Sequence, residues 1–137
     1  MECGIKQPWA IHKPPKVYFY DNADVENNAG TRLENLVATT LLKRNHFLED
    51  YFGHQCSLHY LRYKDGREVD FAVVINNQLH DLIEVKQKDN DISKNLKYYK
   101  DKLKPNNAIQ LVANLPRPYE KDGIKVISVT EFFSNPP

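Results

Sequence analysis

The 137-residue sequence contains only two cysteines, one methionine and one tryptophan. Cys3 and Cys56 are too few for a disulfide framework, and their surroundings lack the spacing of a zinc site. No apolar run is long enough to cross a bilayer, and the N-terminus lacks the apolar stretch of a signal peptide. We therefore expect free thiols in a reducing cytoplasm and no membrane partner.

Several motifs of catalysis are also missing. The sequence has no Gly-x-x-x-x-Gly-Lys-Ser/Thr phosphate loop, so the chain is not itself an ATPase. It has neither a Gly-x-Ser-x-Gly nucleophile turn nor a His-Glu-x-x-His zinc helix. A net charge of +1 neither requires nor excludes nucleic acid. Residues 1–15 hold three prolines and no periodicity, so we interpret them as a loose lead-in to one domain at 16–137.

What the sequence does contain is a charged pattern inside two apolar segments, Glu68-Val69-Asp70-Phe71 and Ile83-Glu84-Val85-Lys86. Alternation predicts strands at Arg67–Ile75 and Gln78–Lys86, joined as an antiparallel hairpin through Asn76-Asn77-Gln78. The length of the loop decides which side chains share a face, because a slip of one residue moves every side chain to the other face.

Two registers are open. A two-residue loop pairs Ile75 with Gln78 and puts Asp70 and Glu84 on opposite faces. A three-residue loop pairs Ile75 with Leu79 and puts Asp70 opposite Glu84. We favour the second register, which also puts Glu68 opposite Lys86 and gathers the apolar residues on the other face. Those apolar residues are Val69, Phe71, Ile83 and Val85.

Facing carboxylates, about 5 Å apart at their β-carbons, repel each other. A bound Mg²⁺ or Mn²⁺ removes the conflict, because hard cations prefer carboxylate oxygens. Lys86 lies two residues beyond Glu84 on the same face, where it can orient or deprotonate a water and offset negative charge. Alternatively, Glu84 and Lys86 form a simple ion pair on a solvated strand, or Glu68 pairs with Lys86. An ion pair alone does not explain why two acids face each other.

Asp70 followed by Glu84-x-Lys86 resembles the PD-(D/E)XK nuclease superfamily. The wider stretch is similar to the C-terminal domain of a family of bacterial and archaeal P-loop (AAA-type) ATPases, over about residues 14–133. The residues that carry this similarity are Gly30-x-x-x-Glu34, Tyr60-x-Arg62-Tyr63 and Gly66-Arg67-Glu68-Val69-Asp70-Phe71, together with Ile83-Glu84-Val85-Lys86. Val69 stands where the superfamily often has proline, a position without chemistry. The resemblance implies an α/β fold (α+β core), a restriction-endonuclease-like mixed sheet with an antiparallel β-meander flanked by helices.

The resemblance also implies roles for individual residues. Asp70 and Glu84 would bind the metal, Glu34 would complete the site from the first helix, and Lys86 would be the catalytic lysine. The expected activity is Mg²⁺-dependent hydrolysis of phosphodiesters in nucleic acid, above all DNA, with an ATPase module upstream in the full-length protein. The alternative is a non-catalytic domain that binds nucleic acid or protein and regulates that ATPase. Glu34 could equally be an ordinary acid at the edge of a buried face.

A basic segment follows the motif. From Lys86 to Lys104 there are seven lysines and three aspartates, and a helix is predicted at Ile92–Lys104. Such charge attracts phosphate backbone, so Lys94 and Lys97 are candidate nucleic-acid contacts, although lysine-rich helices are also common as plain solvated surface. Arg62 could contact phosphate or neutralise the acids. Tyr98 or Tyr99 could stack on a base.

The remaining pattern supplies the scaffold. Leu33, Val37 and Leu41 recur at helical spacing and predict a first helix over Glu26–Leu48. The other predicted elements are a strand at Val17–Tyr20, a strand at Gln55–Tyr63, a strand at Ala108–Ala113, an added edge strand at Lys125–Ser128 and a helix from Thr130 to Phe133.

Overall fold

The structure is a computed structural model that describes residues 29–62, 66–88 and 91–134. The predicted lead-in, the strand at 17–20 and the first residues of the predicted first helix lie outside these residues. In chain order the elements are α1 (Ala29–Phe52), β1 (Cys56–Arg62), β2 (Glu68–Ile75), β3 (Gln78–Lys86), α2 (Lys94–Leu103), β4 (Asn107–Val112), β5 (Tyr119–Lys121), β6 (Ile124–Ser128) and α3 (Val129–Ser134). None of the helices described here has both the length and the apolarity needed to cross a bilayer.

The described strands form one open, mixed sheet in the order β1-β2-β3-β4-β6-β5. Strands β1, β2 and β3 are an antiparallel meander, β3, β4 and β6 run parallel, and β5 is antiparallel to β6. The predicted α/β class with a meander flanked by helices is confirmed. The strand at 124–128 lies inside the sheet rather than at its edge as predicted. The edge position belongs to β5, whose residues are all exposed and which therefore gives no hydrophobic signal in the sequence.

Helices cover both faces of the sheet. Helices α1 and α3 lie over one face, where Val37 and Leu41 of α1 pack with Phe71 and Ile83. Helix α2 lies over the other, where Leu96 and Tyr99 pack with Val69, Leu82 and residues of β4 and β6. The sheet is thus buried on both sides. A polar side chain pointing from its central strands must find a partner there, because an unpaired buried polar group is costly.

The turn between β2 and β3 consists of two residues, Asn76 and Asn77. Both adopt left-handed backbone, with φ of 52° and 68°. Such a type I′ turn suits the twist of the flanking strands. Ile75 therefore pairs with Gln78, and the preferred prediction of a three-residue loop is wrong at the turn. His80 is then an extra residue, since Val74 pairs with Leu79 but Val73 pairs with Asp81. Beyond this bulge the register equals the one predicted for the longer loop.

A second bulge lies in β2 itself. His59 pairs with Ala72 and Leu61 pairs with Val69, so Tyr60 alone faces both Asp70 and Phe71. A bulge of this kind changes the direction of the side chains around it. Val69 accordingly packs under α2, and its predicted place on one apolar face with Phe71, Ile83 and Val85 is wrong.

Candidate metal centre between strands β2 and β3

Asp70 and Glu84 face each other where β2 and β3 meet under the start of α2. The observed register pairs Phe71 with Ile83, so Asp70 and Glu84 are the next two residues along the strands. The backbone N–H of Asp70 donates to Oε1 of Glu84 at 3.3 Å, and the N–H of Val85 donates to Oδ2 of Asp70 at 2.9 Å. The carboxylates thus replace carbonyls in the strand ladder at this point. The predicted facing of these two acids is confirmed.

The environment of Glu84 opposes a negative charge. Burial is the largest cause that raises its pKa, and the charge of Asp70 and a hydrogen bond with Asp70 raise it further, to about 8. A hydrogen bond from Ser93 and the charge of Lys86 act in the opposite direction. In the absence of a cation, a proton therefore resides on this carboxylate pair near neutral pH.

Two residues near Glu84 were not predicted from the sequence: Ser93, whose hydroxyl contacts Glu84, and Gln110, whose side-chain amide contacts Ser93. Ser93 immediately precedes α2, and its Oγ donates to Oε2 of Glu84 at 3.0 Å while accepting from the N–H of Leu96 at 3.2 Å. The N–H of Ser93 donates in turn to Oε1 of Gln110 at 2.9 Å. Ser93 carries the sequence signal of a helix N-cap, and Gln110 is a polar residue inside the apolar strand β4. These signals could have drawn attention to both residues.

Lys86 is half-buried and follows Glu84 by two residues in β3, so it extends from the same face. Its charge acts on Glu84, and no ion pair joins it to another of the residues described. Glu68 does not pair with Lys86: its cross-strand partner is Arg62, with Nε 3.5 Å from Oε1 of Glu68. Both members of that pair are exposed enough for water to weaken the interaction. Of the two roles proposed for Arg62, neutralising an acid is the one that the geometry presents.

Glu34 lies half-buried on α1, the helix that covers the opposite face of the sheet from α2. Within residues 29–62, 66–88 and 91–134, no three histidine, cysteine or acidic side chains lie close enough together to hold a metal ion. Glu34 is therefore not gathered with Asp70 and Glu84 into such a group, and its metal-binding role stays a prediction.

The two remaining carboxylates suit a hard divalent cation. Each oxygen that accepts one hydrogen bond in this cluster retains a second lone pair. Burial is the largest cause of the raised pKa of Glu84 and the charge of Asp70 is the second, and a bound cation would offset both, since it favours the charged carboxylate. Mg²⁺ is commonly held by one or two carboxylates, with waters and substrate phosphate completing its shell. Asp70 and Glu84 would hold such an ion.

The predicted basic surface is only partly free. Lys94 is exposed at the start of α2, whereas Nζ of Lys97 lies 2.9 Å from Oδ2 of Asp122. Tyr99 is buried and donates its hydroxyl to the carbonyl of Arg67, so its predicted stacking on a base is excluded. The guanidinium of Arg67 lies 3.9 Å from the centroid of the Tyr98 ring, so one face of that ring is covered.

A family model described as "Domain of unknown function (DUF4143)" matches residues 29–132, about three quarters of the sequence. The chain belongs to this family. Searches of the curated proteins and of the solved structures found no match to this chain.

Proposed function

We propose that this member of the DUF4143 family is a nuclease-like domain that hydrolyses phosphodiester bonds of nucleic acid, DNA in particular, with the help of Mg²⁺ or Mn²⁺. The observation that supports this most is the pair of facing acids, Asp70 and Glu84, beneath the start of α2. Burial raises the pKa of Glu84, and the charge of Asp70 raises it further, so a counter-charge at this position would be favourable. A fold stabilised only by packing has no use for such a pair.

Each residue of the site then has a separate task. Asp70 and Glu84 hold the cation, which supplies Lewis-acid stabilisation of phosphate charge and a more acidic bound water. The ammonium of Lys86 orients the attacking water and offsets negative charge that develops on the phosphate. Glu34 remains a candidate supporting acid by resemblance. Lys94 at the exposed start of α2 offers a phosphate contact next to the site, with Lys97 and Arg62 as weaker candidates because acids already pair with them.

The family suggests the context of this activity. Domains of this family typically lie at the C-terminal end of AAA-type ATPases. We therefore propose that the domain acts beside an ATPase module of a longer chain, in the cytoplasm. Such an arrangement would couple phosphodiester cleavage to movement or loading of the nucleic acid.

Calorimetric titration with Mn²⁺ and Mg²⁺ tests the metal site directly. Asp70→Asn and Glu84→Gln should each weaken binding strongly, because each removes one of the two carboxylates that would hold the ion. Glu68→Gln is the matched control, since it removes an acid two residues from Asp70 that pairs with Arg62, and it should bind like the wild type. Wild-type protein that takes up no metal at millimolar concentration would refute the proposal.

A cleavage assay on duplex, single-stranded and branched DNA tests the chemistry. Lys86→Ala should lower Mg²⁺-dependent cleavage by about 100-fold or more while metal binding persists. Cleavage that survives in Lys86→Ala at the wild-type rate would contradict the role given to the lysine.

One observation favours a second candidate, a non-catalytic domain that binds nucleic acid or protein and regulates the ATPase. Among the described residues, no third histidine, cysteine or acidic side chain joins Asp70 and Glu84. A regulatory domain of this kind would bind DNA with unchanged affinity after Asp70→Asn and would cleave none of the three substrates.

A further inference from the structure

The Glu84 carboxylate is fixed by a chain of hydrogen bonds that begins on the neighbouring strand. Gln110 lies next to Glu84 in the parallel pairing of β3 and β4 and is fully buried. Its Oε1 accepts the N–H of Ser93, and its Nε2 lies 3.5 Å from the carbonyl of Asp91. Both contacts require the observed orientation of the amide, because a backbone N–H can only donate and a carbonyl can only accept.

The direction of the next hydrogen bond is also determined. The Ser93 hydroxyl has one proton, and its oxygen already accepts from the N–H of Leu96. Its proton is therefore free for Oε2 of Glu84, 3.0 Å away. Oε2 is thus held on the side of Ser93, and Oε1, which accepts from the Asp70 backbone N–H, lies on the side of Asp70, where a proton or a cation shared by the two carboxylates would be held.

Resting on the proposed function, we infer that Ser93 and Gln110 are positioning residues of the metal centre. Gln110 fixes the backbone of Ser93, and the Ser93 hydroxyl fixes Glu84 so that Oε1 is directed towards Asp70. Neither residue touches substrate or cation in this role. Second-layer partners of this kind typically change metal affinity by about 10–100-fold when removed.

Ser93→Gly separates this role from helix capping. Glycine is itself an acceptable N-cap, so the helix loses little when serine is replaced by it. The matched control is Ser128→Gly, because Oγ of Ser128 caps α3 through the N–H of Glu131, far along the chain from Glu84. Ser93→Thr keeps a hydroxyl and should restore wild-type behaviour.

Metal titration of the 137-residue chain gives the first result. Ser93→Gly should weaken Mn²⁺ binding by about 10–100-fold, and a cooperative unfolding transition in metal-free buffer checks that the variant still folds. Gln110→Met should weaken it to a smaller extent, since the hydroxyl remains present but is less well held. Ser128→Gly and Ser93→Thr should bind like the wild type. Equal affinity of Ser93→Gly and the wild type would overturn the inference and leave the proposed function standing.

Amide NMR in the absence of metal gives the second result, which does not depend on the proposed function. The Asp70 N–H donates to Oε1 of Glu84, so loss of the Ser93 hydroxyl should shift the Asp70 amide proton upfield and speed its exchange. Ser128→Gly should leave that signal unchanged. If the wild type binds no metal, the proposed function fails, and this signal alone decides the positioning role: an unchanged Asp70 amide in Ser93→Gly overturns it.

Discussion

Glu84→Gln should remove much of the pH dependence of stability in the metal-free protein. The carboxyl has an ordinary pKa of 4.5, and burial beside Asp70 raises its pKa to about 8 in the folded protein. Between these values the folded protein holds a proton that the unfolded chain has released. The contribution to stability is therefore complete below about pH 4.5 and is lost as the pH rises through about 8. At about 1.4 kcal/mol for each pKa unit, the loss is at most about 5 kcal/mol.

Urea unfolding from pH 5 to pH 9 in the presence of a chelator measures this loss. His80, whose pKa is raised chiefly by its hydrogen bond to Asp81, titrates in wild type and variant alike, so the difference between their curves isolates Glu84. Glu68→Gln should follow the wild-type curve. Saturating Mg²⁺ should restore stability at high pH, by about 2.7 kcal/mol at one hundred times its Kd. Parallel pH curves for the wild type and Glu84→Gln would refute the reasoning.

Arg44→Met should destabilise the fold by about 3 kcal/mol in urea unfolding, because Asp81 is 2% exposed and loses a partner whose Nη2 lies 2.8 Å away. The control is Arg62→Met, which breaks an exposed pair and should change the free energy of unfolding by less than about 1 kcal/mol. Equal destabilisation by the two variants would contradict the argument. Lys94→Glu should weaken DNA binding and reduce its salt slope by about one. Lys125→Glu reverses an exposed charge on the other face of the sheet and should have little effect. Fluorescence anisotropy at several salt concentrations measures the DNA affinity of both variants. Identical losses of affinity would mean that net charge, rather than a contact at Lys94, determines binding.

The fold follows from hydrophobic alternation wherever a strand has a buried face. The bounds of β3 are those predicted, because every side chain from Leu79 to Val85 is at least partly buried. Strand β5 was missed because it buries nothing. Gln110 and Asp81 were missed for the opposite reason. Both are buried polar residues in apolar strands. Ser93, a partner of Gln110, and Arg44, a partner of Asp81, are each more than fifteen residues distant in the chain. Pattern reasoning from one segment does not reveal pairings of this range.

The site itself depends on a detail that neither predicted register contained. The two-residue Asn76-Asn77 turn alone would put Asp70 and Glu84 on opposite faces, because side chains alternate along each strand. His80 adds one residue to β3 and reverses that outcome before the strand reaches Glu84. On β2 the second bulge lies at Asp70 itself, opposite Tyr60. Bulges of this kind are common beside functional sites, where they redirect a side chain. The two bulges therefore have different effects: the one at His80 puts Asp70 and Glu84 on one face, and the one at Asp70 turns Val69 into the core under α2, so the bulge in β3 is the irregularity on which the pair of acids depends.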